Sequence, residues 1–392
     1  MGKLILHWFL SRTVRQAVGM CRQARRILRA QQDLLSPAAR ETILAAVAEL
    51  TASVVSGEGP EAIRARMSNL EKVANRNLRP YPNAAWRENV EVLLVTGAVV
   101  LALRTFFFQP MAIPSGSAQP TLWGIHHENL KDRTDVQIPG RLKRIFDFWW
   151  SGVHYFRKVA ECDGELTIEE PRTIFPFVKR QTLRIGGKAH HIWFVPDDVA
   201  RRAGLWNGQV FRRGEEVLKL EVVSGDHLFV NRMTYNFRRP RRGEIIVFES
   251  HGIPGLIADT HYIKRLVAIG GDRVRIGNDR HLIINGQRLD ASTPFFENVY
   301  GFDPKEPPRV DHYSGHVNKF IAGQYGLGRI SDLFPNETAE FVVPRNHYLA
   351  MGDNTMNSHD GRDWGSFPRE KVVGKAGFVF WPITSRFGWG YR

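Results

Sequence analysis

The stretch "HYIKRLVAIGGDRVRIGNDRHLIINGQRL", residues 261–289, decides the class of fold. Apolar and polar residues alternate in short runs, and Gly, Asn and Asp interrupt them every few positions, the pattern of strands joined by tight turns. Asn285-Gly286, between Ile284 and Gln287, predicts a hairpin with these two residues at its tip. The same texture recurs in "DHLFVNRM", "GEIIVFES", "AEFVVP", "HYLAMG" and "AGFVFWP". Residues beyond Pro110 therefore read as mostly β, antiparallel and partly closed. Within the opening strand, alternation places Lys264 on one face with Tyr262 and Leu266, and turns Arg265 the other way.

The N-terminal third has a different texture. "KLILHWFLSRTVRQAVGMCRQARRILRAQQDLL" repeats apolar residues at helical spacing through Val14, Val18, Cys21, Ile27 and Leu28, with arginines between them. It predicts a basic amphipathic helix, which either packs on neighbours or lies on an anionic leaflet. Its apolar core is too short for a cleavable signal peptide. Two more helices are expected in "PAARETILAAVAELTASVV" and "GPEAIRARMSNLEKVANRNL", before "RPYPNAA" as a linker. Val92 to Leu103 is an uncharged run of 12 residues, extended past Arg104 to Phe108. Flanked by Trp86 and by Phe106, Phe107 and Phe108, it reads as one transmembrane helix.

Charge divides at that run. Residues 1–87 hold 14 Lys+Arg against 6 Asp+Glu, +8 of the formal +14. The positive-inside rule then puts residues 1–87 in the cytoplasm and the remainder outside. The other +6 is spread over 305 residues with no zinc-finger spacing or RNA-binding aromatic motif, which argues against nucleic acid as a partner. The two cysteines, Cys21 and Cys162, make neither a disulfide scaffold nor a metal site, and no HExxH is present. Residues 125–222 are less regular and include "FDFWWSGVHYF". There Phe146, Phe148, Trp149 and Trp150 are expected either at a membrane interface or in a cluster buried under this segment.

"AIPSGSAQPTL", residues 112–122, sets two serines in a proline-fenced bend directly after the apolar run. No GxSxG elbow surrounds them, and no SxxK motif supplies a lysine one turn later. A lysine from elsewhere can act as base only when neutral. At an ordinary pKa of about 10.4, roughly one in 2,500 is neutral at pH 7, and burial lowers that pKa. Lys264 on its apolar strand is the candidate.

Four blocks, in order, carry a resemblance: "RTFFFQPMAIPSGSAQPTL", "GDHLFVNRMTYNFRRPRRGEIIVF", "YIKRLVAIGGDRV" and "MGDNTMNSHDGRDWGSFPREKVVGKAGFVFWP". Together they resemble the type I signal peptidases, membrane-bound serine–lysine proteases that remove signal peptides. The resemblance implies an antiparallel β catalytic core of the signal-peptidase type, with an N-terminal helical region and one transmembrane helix. It divides the chain into a cytoplasmic helical region (1–87), the span and its flanks (88–109), a nucleophile segment (110–124), an insertion of unassigned role (125–222) and the β-rich catalytic core (223–392). It makes Ser117 similar to the nucleophile and Lys264 to the general base. Ser115 matches the hydroxyl that joins the Ser117 N–H in the oxyanion hole, and Ser358 matches the serine that orients the lysine. Asp360 and Arg362 match a supporting ion pair, and Gly352, Asp353 and Asn354 a turn that closes the site. Met111, Ala112, Ile113, Ala118 and Tyr262 fall on the substrate-binding side.

The implied partners are signal-peptide-bearing preproteins and the lipid bilayer of a bacterial inner membrane, or its mitochondrial counterpart, with no cofactor and no metal. Ala118 departs from the family's methionine, and Thr355 and Met356 replace residues that are commonly charged. The alternative is a catalytically silent, membrane-anchored β-domain that binds exported chains. A self-cleaving repressor shares the chemistry, but such proteins are soluble, and the apolar run argues against one.

Overall fold

Local sequence signals set the helices. Ser11 caps α1 (Arg12–Ala30), its side chain accepting from the Val14 amide. Ser36 and Pro37 open α2 (Pro37–Ser56), which ends on Gly57 at φ +75°. Pro60 opens α3 (Pro60–Asn77). These three helices bury a common core in which Val14, Ala17, Cys21, Ala24 and Leu28 of α1 meet Ile43, Val47 and Leu50 of α2 and Ile63 and Leu70 of α3. The apolar stripe of α1 is thus enclosed by its neighbours, and cannot be what lies on a leaflet. A fourth helix, α4 (Ala84–Ala102), continues as a π-helical turn through Phe107. From Trp86 to Phe107 it is long and apolar enough to cross a membrane, with a mean hydropathy of 2.0 and none of it buried.

The structure, a computed structural model, describes residues 11–79, 83–133, 135–176, 178–194, 199–327, 330 and 332–389. The expectations for residues 1–10 and for the linker at 80–82 lie outside the described residues. The chain forms two units, residues 1–98 and 99–392.

The second unit is built on a seven-stranded antiparallel sheet. Its strands are β1 (Phe108–Ala112), β2 (His227–Asn231), β3 (Ile245–Glu249), β4 (His261–Ile269), β5 (His347–Met351), β6 (Phe367–Pro368) and β7 (Val372–Trp381). They lie in the order β1-β2-β7-β3-β4-β5-β6, so the sheet is open and β1 forms one edge. Alternation gives it two apolar faces. Ile245 and Val247 pack with Ile113, Leu122, Leu228 and Val379 on one side, and Ile246 and Phe248 pack with Leu266 and Phe367 on the other. Beyond β4 the chain makes a smaller four-stranded sheet, in which Ile284 pairs with Gln287 across the expected Asn285-Gly286 turn. Both turn residues have positive φ, 52° and 82°.

The insertion is more regular than its sequence suggests. Strands Val153–Val159 and His126–Asn129 flank Glu216–Val223, and Val178–Ile185 pairs with Lys188–Trp193. A separate core holds Phe156, Leu183, Ile185, Val217 and Leu220. The segment leaves and rejoins the main sheet at one point. There the Asp226 amide donates to Trp123 O, the Trp123 amide donates to the Asp226 side-chain Oδ2, and His126 pairs with Val223. Helix α5 (Arg141–Ser151) lies on its surface, with Phe146, Trp149 and Trp150 60%, 70% and 50% exposed, which removes the expectation that they are buried.

Leu50 is fully enclosed in the helical core. Leu50→Ala should destabilise the three-helix unit by about 2–5 kcal/mol. A urea titration followed by helical circular dichroism would show it, and an unchanged helical transition would refute this packing.

Candidate active site

Ser117 sits in a 3-10 turn, Gly116–Ala118, directly after β1, and Lys264 lies in the middle of β4. The sheet brings them together across 147 residues, with Lys264 Nζ 2.5 Å from Ser117 Oγ. Lys264 is 3% exposed, opposite Ile246 on β3. Burial lowers its pKa to about 8, against the opposing pull of the Asp360 carboxylate. Ser115 Oγ is 3.3 Å from Ser117 Oγ, so both hydroxyls face one spot.

The segment after β5 holds the serine loop from behind. The Asn354 amide donates to Ser117 O (3.1 Å), and its side-chain Nδ2 donates to Gly116 O (2.9 Å). A Cβ on Gly352 would stand 2.4 Å from Ser117 O and 2.2 Å from Ser358 Oγ, so only glycine allows this approach. Asp360 accepts from the Gly352 amide (2.9 Å) and from Arg362 Nε (2.9 Å), with both side chains buried. Burial alone would raise the Asp360 carboxyl, but the Arg362 guanidinium outweighs it and holds the group well below the usual carboxylate range. Arg362 also donates to Thr355 Oγ1 (2.8 Å), so the uncharged residue at that position serves as an acceptor.

Ser358 reaches the site but does not bond Lys264. Its hydroxyl is buried against Gly352 and has no hydrogen-bond partner. Asp353 faces away from the serine–lysine pair. It receives Arg265 Nε (2.7 Å) and Nη2 (2.6 Å), and the Thr121 hydroxyl donates to it. Arg265 also donates to the carbonyls of Gly243 and Phe295, and Thr121 meets the Tyr313 hydroxyl at 2.8 Å. Arg265, Thr121 and Tyr313 were not singled out by sequence. The available signal was an arginine placed next to Lys264 in an otherwise apolar strand.

A groove of about 240 Å³ lies between β1 and the start of β4, lined by Met111, Ala112, Ile113, Val247 and Tyr262. Four of the five expected substrate-side residues line it. Ala118 does not, and instead packs inward with Ile113 and Leu122.

Residues 211–381 match the family model described as signal peptidase, peptidase S26. A probable signal peptidase I-2 of Synechocystis is 31% identical over 40% of this chain, and the match spans 56% of that relative. The signal peptidase I of Aquifex aeolicus is 32% identical over 41% of this chain and is covered over 70% of its own length. The chain belongs to the signal peptidase I family. Members of this family are serine endopeptidases. A solved signal peptidase I from Enterococcus faecalis aligns over 35% of the chain at 24% identity with a TM-score of 0.23, too low to bear on the fold.

The Arg265–Asp353 pair is buried on both sides, with side chains 1% and 2% exposed. Asp353→Asn leaves the guanidinium charged and uncompensated, and should cost about 3–5 kcal/mol of stability. Chemical denaturation of the detergent-solubilised chain measures this, and a loss below about 1 kcal/mol would contradict the role of this pair.

Proposed function

We propose that this chain is a membrane-bound endopeptidase that removes signal peptides from exported preproteins, with Ser117 as nucleophile and Lys264 as general base. The observation that carries the proposal is the 2.5 Å contact between Ser117 Oγ and a buried lysine whose pKa is lowered to about 8. At that pKa about one lysine in ten is neutral at pH 7, a gain of more than a hundredfold over an exposed one. Neutral Lys264 takes the proton from Ser117 Oγ as the oxygen attacks the scissile carbonyl carbon. The oxyanion receives the Ser117 N–H and the Ser115 hydroxyl. The Lys264 ammonium then protonates the leaving amine, and an ester to Ser117 remains. Water enters, gives its proton to Lys264 and attacks the ester, and the proton returns to Ser117 Oγ as the acid leaves. Ser358 would orient the ammonium only after its unpartnered hydroxyl rotates toward Lys264, and the Asp360–Arg362 pair fixes the turn that carries Ser358.

The preprotein would lie extended in the groove beside β1, an edge strand able to pair with an added chain. The apolar helix Trp86–Phe107 would anchor the protein with residues 1–87 in the cytoplasm and Ser117 outside. A row of aromatic contacts supports a membrane-apposed surface. It runs from Phe108 to Phe229 (6.5 Å), Phe380 (4.5 Å), His227 (6.0 Å), Trp381 (4.8 Å) and Phe148 (5.9 Å). The silent-binding alternative offers no reason for a buried lysine against a serine hydroxyl.

Cleavage of a preprotein should rise about tenfold per pH unit up to about pH 8 and then level off, because the proton must leave Lys264 before it can serve as base. Lys264→Arg and Ser117→Ala should abolish turnover in folded protein, and near-normal cleavage by Lys264→Arg would end the proposal. For the topology, protease added to intact spheroplasts should degrade the region after residue 110 and spare residues 1–87. The reverse pattern would invert the orientation.

A further inference from the structure

We infer that the arginine face of α1 docks on the anionic lipid headgroups of the leaflet from which α4 departs. Arg12, Arg15, Arg22, Arg25, Arg26 and Arg29 are all exposed, and α1 contains no Asp or Glu. At 100° per residue these six fall within an arc of about 140°, beside the arc of about 80° that holds the buried residues. The two functions of the helix are therefore separated: one flank closes the bundle and the other carries only positive charge. The row is about 26 Å long. Arg22, Arg25, Arg26 and Arg29 line a groove of about 550 Å³ whose floor includes Val18 and Val54. Such a groove offers guanidinium donors at the rim and an apolar floor, which suits a phosphate ester attached to acyl chains.

The position of this face selects the occupant. Among the described residues, the ion pair made by the row is Arg26 to Glu91, 3.5 Å apart and with side chains 82% and 66% exposed. Glu91 is the last charged residue before the apolar run Val92–Leu103. Arg26 thus meets α4 at the residue before its apolar stretch begins, which is the headgroup layer if α4 spans a bilayer. The inference rests on that reading of α4. An exposed pair of this kind is weak and leaves the row free to exchange partners. Each arginine near an anionic leaflet contributes roughly a tenfold or smaller preference for the docked state, and the row acts together.

The test uses the full chain in proteoliposomes of phosphatidylcholine, alone or with phosphatidylglycerol at a 7:3 ratio. A nitroxide is placed by Gly19→Cys in a Cys162→Ser background. Gly19 is exposed on the arginine flank, and a Cβ there meets nothing within 4 Å. Contact between the nitroxide and a headgroup-tethered nickel chelate is read by relaxation enhancement. Contact is expected with phosphatidylglycerol at 0.1 M salt. It should be lost in phosphatidylcholine alone and at 1 M salt, where screening shortens to about 3 Å. The triple variant Arg22→Gln, Arg25→Gln, Arg29→Gln should lower the docked-to-undocked ratio about 100-fold. Equal contact in both lipids, or in the triple variant, overturns the inference. So does a nitroxide that stays in water on phosphatidylglycerol vesicles but is shielded by an added RNA oligonucleotide. A chain that does not float with vesicles of either kind removes α4 as a span and this inference with it, whereas a chain that floats with its nitroxide in water overturns this inference alone. Neither result bears on whether Ser117 and Lys264 cleave a peptide.

Discussion

A lysine kept dry is the constraint around which the second unit is arranged. An ammonium in water is no base at neutral pH, and a serine hydroxyl without a base is a poor nucleophile. For the proposed chemistry Lys264 has to sit inside the sheet, opposite Ile246 and beside the serine turn, where it is 3% exposed. Burial of that kind is destabilising unless neighbouring polar groups are fixed elsewhere. The buried carboxylates around the site each have an arginine of their own, Asp360 with Arg362 and Asp353 with Arg265. Neither carboxylate is left free to claim the lysine as an ion-pair partner and hold it charged.

The two ion pairs also divide the mechanical work. Asp360 and Arg362 stabilise the turn from Gly352 to Ser358, which presses against Ser117 O. Asp353 and Arg265 tie that same turn to β4, the strand that carries Lys264. Serine, lysine and turn thus form a closed circuit of contacts. The position of each is set by the other two, and no flexible loop carries the hydroxyl.

The features legible in sequence were those set by local pattern. Period-two strands, the Asn285-Gly286 turn, the helices of the N-terminal third and the uncharged run at 92–103 all depend on neighbours a few residues away. The proline-fenced serines and the lone strand lysine stood out because each broke its local pattern. The pairing of Arg265 with Asp353 did not, since it spans 88 residues and no periodicity announces such a contact. The insertion looked irregular because charged residues interrupt its strands, as in "VKRQTLRI" and "EVLKLEVV", where Lys219 is itself buried between residues of a small private core. Alternation at Ala118 was not enough to tell that its methyl turns inward, because the 3-10 turn rotates it away from the groove.

The neck of the insertion bears on how this chain can change. Trp123 and Asp226 are bonded to each other and His126 to Val223, so about a hundred residues leave and return through one short double strand. For the peptidase sheet, β1 and β2 are joined as if by a hairpin, whatever hangs beyond it. The entropic penalty of bringing them together depends on the neck, not on the length of the excursion, once the excursion is folded. Helix α5 still touches the sheet, since Trp381 Nε1 donates to Trp149 O and the Ile383 amide to Trp150 O, but growth, loss or exchange of the part beyond it is then nearly invisible to β1 and β2. The insertion behaves as a handle, able to acquire a new partner without moving Ser117 or Lys264.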